Sequence, residues 1–259
     1  MQSLAVMESS SATIRRRARL TGAMYIPYLA FGMPLFLRAP LIVPRDAAAT
    51  AANILASETL YRITVITDLV SYMLYIALAF LFYVLLREVN RPWAALATLF
   101  TLAGCIVLIV STALLTAPLL LLDSSAFHAV GLAQRQELAL VVVKLFGQGY
   151  TIGLFLFGVQ WLIMGPLFAR SRLVPPLIGY WLLAGGLGWV ALAVATLLGS
   201  PVRTTLQGFV LPVAGLAEIA LGGWLLVFAG WKANDAEGQT KLPEVPDVRV
   251  RRKTDTCLS

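Results

Sequence analysis

The sequence predicts an all-α fold: a polytopic membrane protein of six transmembrane helices with a short extracytoplasmic surface helix between spans 1 and 2. Three observations predict it. Hydrophobic residues make up 59% of the chain and charged residues 13%, with a mean hydropathy of +0.82, which is outside the range of soluble domains. Apolar stretches of about 20 residues or more, the length a helix needs to cross a hydrocarbon core of roughly 30 Å, recur six times. The net charge of +7 comes from bases gathered at the ends of those stretches and in the tails. That distribution orients a membrane protein and does not build a basic groove, so no nucleic-acid partner is expected.

Taken in order, residues 1–17 form a Ser-rich and then basic cytosolic tail without apolar periodicity. Span 1 covers Ala18 to Leu37, with Pro27 and Pro34 as expected kinks. Pro44 and Asp46 then read as a turn and an N-cap, opening an Ala-rich helix too short to span. Span 2 runs from Leu60 to Leu86, and span 3 from Pro92 to Leu122, where Pro92 suits a helix start. A polar loop from Asp123 to Glu137 carries His128 and a short amphipathic centre, and span 4 follows from Leu138 to Arg170. Span 5 covers Pro176 to Leu198 and span 6 Gly208 to Trp231, which closes a transmembrane domain at 18–231. The remaining 232–259, polar with prolines and Arg249, Arg251, Arg252 and Lys253, is expected to be a disordered cytosolic tail.

Six spans place both termini on one side. Arg15 to Arg19, Arg87, Arg91, Arg170, Arg172 and Lys232 gather there, which predicts cytoplasmic termini. Arg38, Arg45, Arg62, Arg135 and Arg203 fall on the other side, partly offset by Asp46, Glu58, Asp123 and Glu137. Trp93 and Trp231 sit at helix ends on the cytosolic side, where amphipathic rings belong. Two cysteines, Cys105 and Cys257, and one histidine give no disulfide framework, zinc spacing or haem ligation, and no cofactor is expected.

An ionisable side chain at mid-membrane costs about 2.5–3.5 kcal/mol on insertion scales, so each one within a span is a functional candidate. Asp68, Lys144 and Glu218 qualify. Asp68 and Lys144 each lie about two turns below the start of their spans, roughly 10 Å deep. That equal depth predicts a pair, which is as well explained by fixing the bundle's register as by chemistry. Glu218 lies deeper, with no cation at its own depth unless Lys144 reaches it along its stem. Helical spacing puts Thr64, Asp68, Ser71, Tyr72 and Tyr75 on one face of span 2, and Lys144, Gln148 and Thr151 on one face of span 4. Gly215 and Gly222 flank Glu218, and Gly149-x-x-x-Gly153 reads as a helix-packing motif.

The expected site is therefore an outward-opening polar cavity among spans 2, 4 and 6, with the short helix after Asp46 over its mouth. Its candidate ligand-binding residues are Asp68, Lys144, Gln148, Glu218, Tyr72 and Arg62. Asn53, Glu58 and Arg62 read first as polar-face residues and second as contacts to a ligand's head group. No nucleophile–base signature or phosphate-cradling loop points to an enzyme. The expected function is non-enzymatic binding of an amphipathic or lipid-like small molecule, or of a partner's membrane helix. A small proton-coupled transporter and a membrane enzyme using Asp68, Lys144 and Glu218 are the alternatives.

Three stretches resemble the DUF4386 family of bacterial integral membrane proteins. They are Asp46 to Arg62 (DAAATAANILASETLYR), Tyr83 to Ala97 (YVLLREVNRPWAALA) and Gly149 to Gly179 (GYTIGLFLFGVQWLIMGPLFARSRLVPPLIG). The resemblance runs from Ala18 to Trp231. It implies a six-span helical protein of the bacterial inner membrane with no established activity. It also implies a histidine in the family pattern where this chain has Phe146, so chemistry that depends on that histidine is not expected here.

Overall fold

The computed structural model describes residues 2–123 and 130–228, with side chains from Thr13 onward. His128, the centre of the Asp123 to Glu137 loop, Trp231, Cys257 and the 232–259 tail lie outside the described residues. The described chain is helical throughout, with no strand among its residues. Five helices are long and apolar enough to cross a membrane.

Helix α1 (Gln2–Gly32) starts well before the expected Ala18, so the basic run Arg15 to Arg19 continues the helix and is not a separate tail. Pro27 lies inside it, whereas the break comes at the turn before Pro34. Pro34 then opens the single turn α2 (Leu35–Arg38), followed by a 3-10 turn over Ala39–Leu41. The short helix α3 (Ala47–Ala56) is capped as expected: the Asp46 carboxylate accepts from the Ala49 backbone N–H at 2.8 Å.

Helix α4 (Glu58–Ala113) holds spans 2 and 3 together. Its backbone is broken only at Asn90, whose φ of −160° and ψ of 103° are extended. Asn90 caps the second arm by accepting from the Trp93 N–H at 3.2 Å, and Pro92, which needs no N–H bond, fits the first turn after it. The expected span 3 ends at Leu122 as expected, but not as a single α-helix. A 3-10 turn at Leu114–Thr116 separates α4 from α5 (Ala117–Leu122), because the ring of Pro118 excludes the carbonyl four residues earlier.

Helix α6 (Leu132–Arg170) begins six residues before the expected start, and α8 (Val202–Val227) takes in Arg203 and Gln207 as helical residues. Helix α7 (Pro176–Leu197) lies between them and ends at Gly199, whose φ of +65° closes the turn to α8.

Side-chain pairings set the directions of six alternating segments. Tyr75 meets Gln160 and Phe82 meets Phe168, so the first arm of α4 runs parallel to α6. Gly149 abuts Ser111 and Gly153 abuts Leu108, so the second arm runs antiparallel to α6, and the chain reverses at Asn90. Helix α1 is antiparallel to the first arm through Tyr25 with Phe82 and Tyr28 with Tyr75. It is also antiparallel to α8, through Gly22 against Leu226 and Tyr28 with Glu218.

Small residues permit these contacts without a hydrophobic driving force between helices in lipid. A Cβ on Gly165 would lie 2.7 Å from the Gly179 carbonyl oxygen, and one on Gly186 would lie 2.8 Å from that of Gly158. The backbones of α6 and α7 therefore touch. With α4, α5 and α3 also packed on it, α6 is the central helix of the bundle. The main core gathers Leu78, Phe82, Trp161, Phe168, Leu182 and Leu221, while Ile54, Tyr61, Leu115 and Phe146 form a second cluster beneath α3.

Gly165→Leu should force α6 and α7 apart and destabilise the bundle by about 1–3 kcal/mol. Gly147→Leu, where a Cβ meets nothing within 4 Å, should not. Thermal unfolding of the two purified variants checks the contrast.

Candidate functional site

The end of α1 determines what Asp68 binds. Because Pro34 turns the chain over the end of the first arm of α4, the next polar residue, Arg38, arrives beside Asp68. Its guanidinium Nη2 lies 2.7 Å from the Asp68 carboxylate, with both side chains 4% exposed. Arg38 Nη1 also donates to Thr64 Oγ1 at 3.2 Å, and Thr64 donates to the Tyr61 carbonyl at 2.7 Å. The Phe146 ring of α6 lies against the guanidinium, 5.1 Å from its carbon to the ring centroid. Two charges are thus buried as one neutral, hydrogen-bonded unit that joins α2, α4 and α6.

The expected pairing of Asp68 with Lys144 is corrected by this geometry. Tyr75 and Gln160 are 85 positions apart, which sets Lys144 level with roughly residue 59, a good two turns beyond Asp68. Their depths differ because α6 has 39 residues, far more than the roughly 20 that a hydrocarbon core requires. Its first turns protrude past the start of α4, where α3 and α5 cover them. Lys144 and Gln148 are exposed, and only Thr151 of the expected polar face is buried. Arg62 is exposed too and pairs with Glu58 one turn away at 2.6 Å.

The other face was placed correctly. Thr64, Asp68, Ser71, Tyr72 and Tyr75 are all buried, and the last four line a cavity of about 260 Å³. That cavity is not confined to spans 2, 4 and 6. α1, α2, both arms of α4, α6, α7 and α8 all contribute to its wall, while α3 contributes nothing, so α3 does not cover its mouth. Neither Asn53 nor Glu58 lines it; Asn53 donates to the Leu41 carbonyl at 3.4 Å.

Glu218 faces this cavity from α8. Its carboxylate accepts from the Tyr28 hydroxyl at 3.4 Å, and the Tyr28 ring stacks on Tyr75 at 4.9 Å between centroids. The Tyr75 hydroxyl donates to Gln160 Oε1 at 3.1 Å and accepts from Trp161 Nε1 at 3.4 Å. Tyr75 is midway along the first arm, so Glu218 is at mid-bundle. Asp68 precedes Tyr75 by seven residues, about 10 Å along the axis. Gly215, one turn from Glu218, opens directly on the cavity, whereas Gly222 is filled by the Tyr25 ring.

α1 and α8 touch closely from Gly22 and Leu226 up to Tyr28 and Glu218. At and beyond that level the wall includes Met33, Phe36, Leu211 and Ile219, each also exposed on the outer surface of the bundle. The cavity therefore reaches the apolar surface between the end of α1 and α8.

Of the six expected ligand-binding residues, the structure gathers Asp68, Tyr72 and Glu218 and leaves out Lys144, Gln148 and Arg62. Sequence reasoning missed Arg38, Tyr28, Tyr150, Trp161 and Trp189. Arg38 carried a usable signal, since it is a lone base inside the apolar run from Met33 to Val43, where an intramembrane charge needs a partner. The aromatic residues carried none, because apolar helices use the same residues for packing.

These features define an all-α polytopic membrane protein with an internal cavity lined by aromatic residues and a carboxylate. The chain belongs to the DUF4386 family, described as a domain of unknown function, whose pattern matches residues 20–229. Comparison with curated proteins and with solved structures found no match.

Arg38→Met should leave Asp68 buried without its partner and cost about 3–5 kcal/mol. The double variant Arg38→Met/Asp68→Leu should recover most of that loss, and Lys144→Met alone should have little effect. Thermal unfolding of the three purified variants tests the order.

Proposed function

We propose that this protein binds an amphipathic, lipid-like small molecule in the cavity enclosed by its transmembrane helices. The observation that carries the reading is the path of the cavity. It runs from polar groups at mid-bundle, Glu218 and Tyr28, to an apolar opening between Met33, Phe36, Leu211 and Ile219. A molecule with a polar end and an alkyl chain matches that gradient, with its chain leaving toward the lipid. A volume of about 260 Å³ is near the lower end for small-molecule sites. It is too small for a partner's helix, which is about 10 Å across.

The excess of bases at the ends of α1, α6 and the first arm of α4 supports cytoplasmic termini in the bacterial inner membrane. In that orientation α3 and the Arg38–Asp68 pair lie toward the outer face, and the ligand enters from the outer half of the bilayer.

An amphiphile carrying a photoreactive diazirine on its alkyl chain should crosslink to Tyr150, Leu154 or Phe157 in the full chain, with the sites mapped by mass spectrometry. Gly215→Trp should fill the cavity and remove those crosslinks without unfolding the protein. Crosslinks confined to the outer surface, or unchanged by Gly215→Trp, would exclude the cavity as the binding site.

Orientation has a separate check. In a Cys257→Ser background, Gly131→Cys, at an exposed helix start, should react with an impermeant maleimide added outside spheroplasts. Labelling only after lysis reverses the assignment.

A further inference from the structure

The ionic character of the cavity specifies more about the ligand than its shape does. Two carboxylates line it, and their situations differ. Asp68 is neutralised by Arg38 at 2.7 Å. Glu218 has the Tyr28 hydroxyl as its hydrogen-bond donor at 3.4 Å, and among the described residues no Lys, Arg or His lines the cavity. A carboxylate at mid-bundle without a cation is an open charge site in a medium where charges are costly.

The remaining walls favour the same sign of ligand. Tyr28, Tyr75, Tyr150, Trp161 and Trp189 surround the space into which Glu218 projects. Aromatic faces carry negative electrostatic potential and attract alkylammonium groups, which they hold most strongly where water is excluded. An anionic head group would meet the Glu218 carboxylate and these faces without any basic side chain to balance it.

Resting on the small-molecule reading above, we propose that the ligand carries a cationic alkylammonium group, held against Glu218 and the surrounding aromatic rings. The ammonium supplies the counter-charge that the protein withholds from Glu218. Tyr28 orients the carboxylate, and the alkyl chain runs out past Gly215 toward Leu211 and Phe36. Single-chain ammonium amphiphiles and the ammonium of a phospholipid head group share this chemistry.

The test is competition against the diazirine probe in the detergent-solubilised full chain. Three competitors share one alkyl chain and differ in the head: trimethylammonium, its uncharged tert-butyl isostere, and sulfate. The trimethylammonium compound should displace the probe at a roughly tenfold lower concentration than the isostere, and sulfate should be the weakest. Glu218→Gln should erase the advantage of the cation over the isostere. Trp189→Leu gives a second test should Glu218→Gln fail to fold, and it should reduce the same ratio.

Equal displacement by cation and isostere, or a preference that survives both substitutions, overturns the ammonium assignment and leaves the binding site standing. Absence of cavity crosslinks with any head group overturns the binding site itself. A short-chain phosphatidylcholine included as a fourth competitor separates the sources, because displacement at the cation's concentration identifies a phospholipid head group.

Discussion

The buried ion pair between Arg38 and Asp68 fixes the relation between the end of α1 and the rest of the bundle. Neither charge is tolerable alone among apolar helices, and together, with Thr64 as a further hydrogen-bond partner, they form a neutral unit. Phe146 adds α6 to that unit through its ring. The pair thereby ties a turn of only four residues, α2, to two long helices. Leu35 and Phe36 of that turn are held as part of the cavity wall. Asp68 contributes to the wall while its charge is already satisfied.

Below this fixed point the bundle separates its contacts into two kinds. Where glycines face each other, as along α6 and α7, backbones meet and leave no space. Where tyrosines and tryptophans face inward from α1, α4, α6 and α7, large rings hold the helices apart. The cavity lies in that second region. Its polar groups form two hydrogen-bonded sets, Tyr28 with Glu218 and Tyr75 with Gln160 and Trp161, joined by the stacked rings of Tyr28 and Tyr75. Glu218 has room left for an external partner, and this contrast with Asp68 underlies the functional reading.

Phe146 fits the same picture. The Phe146 ring lies directly against the Arg38 guanidinium. At that position a phenyl ring supplies a face to the guanidinium, and so supports the ion pair.

Much of this was legible in the sequence. Six apolar stretches, the proline at Pro92, the cap at Asp46 and the polar face of span 2 follow from hydropathy, backbone stereochemistry and helical period, all of which are local properties of the chain. The alignment of one helix with another is not local. Equal depth for Asp68 and Lys144 requires that spans begin at a common level. α6 instead extends by several turns at its start, and a shift of that size exchanges one partner for another. Arg38 replaced Lys144 because the chain folds back at Pro34, and the inward aromatic residues became a cavity wall because five helices and a turn converge on them. That each charge in the membrane needs a partner is already plain from the chain's composition and order. That Asp68 finds a cation among the described residues while Glu218 meets only the Tyr28 hydroxyl was settled by the folded arrangement, since it depends on the register between helices distant in the chain.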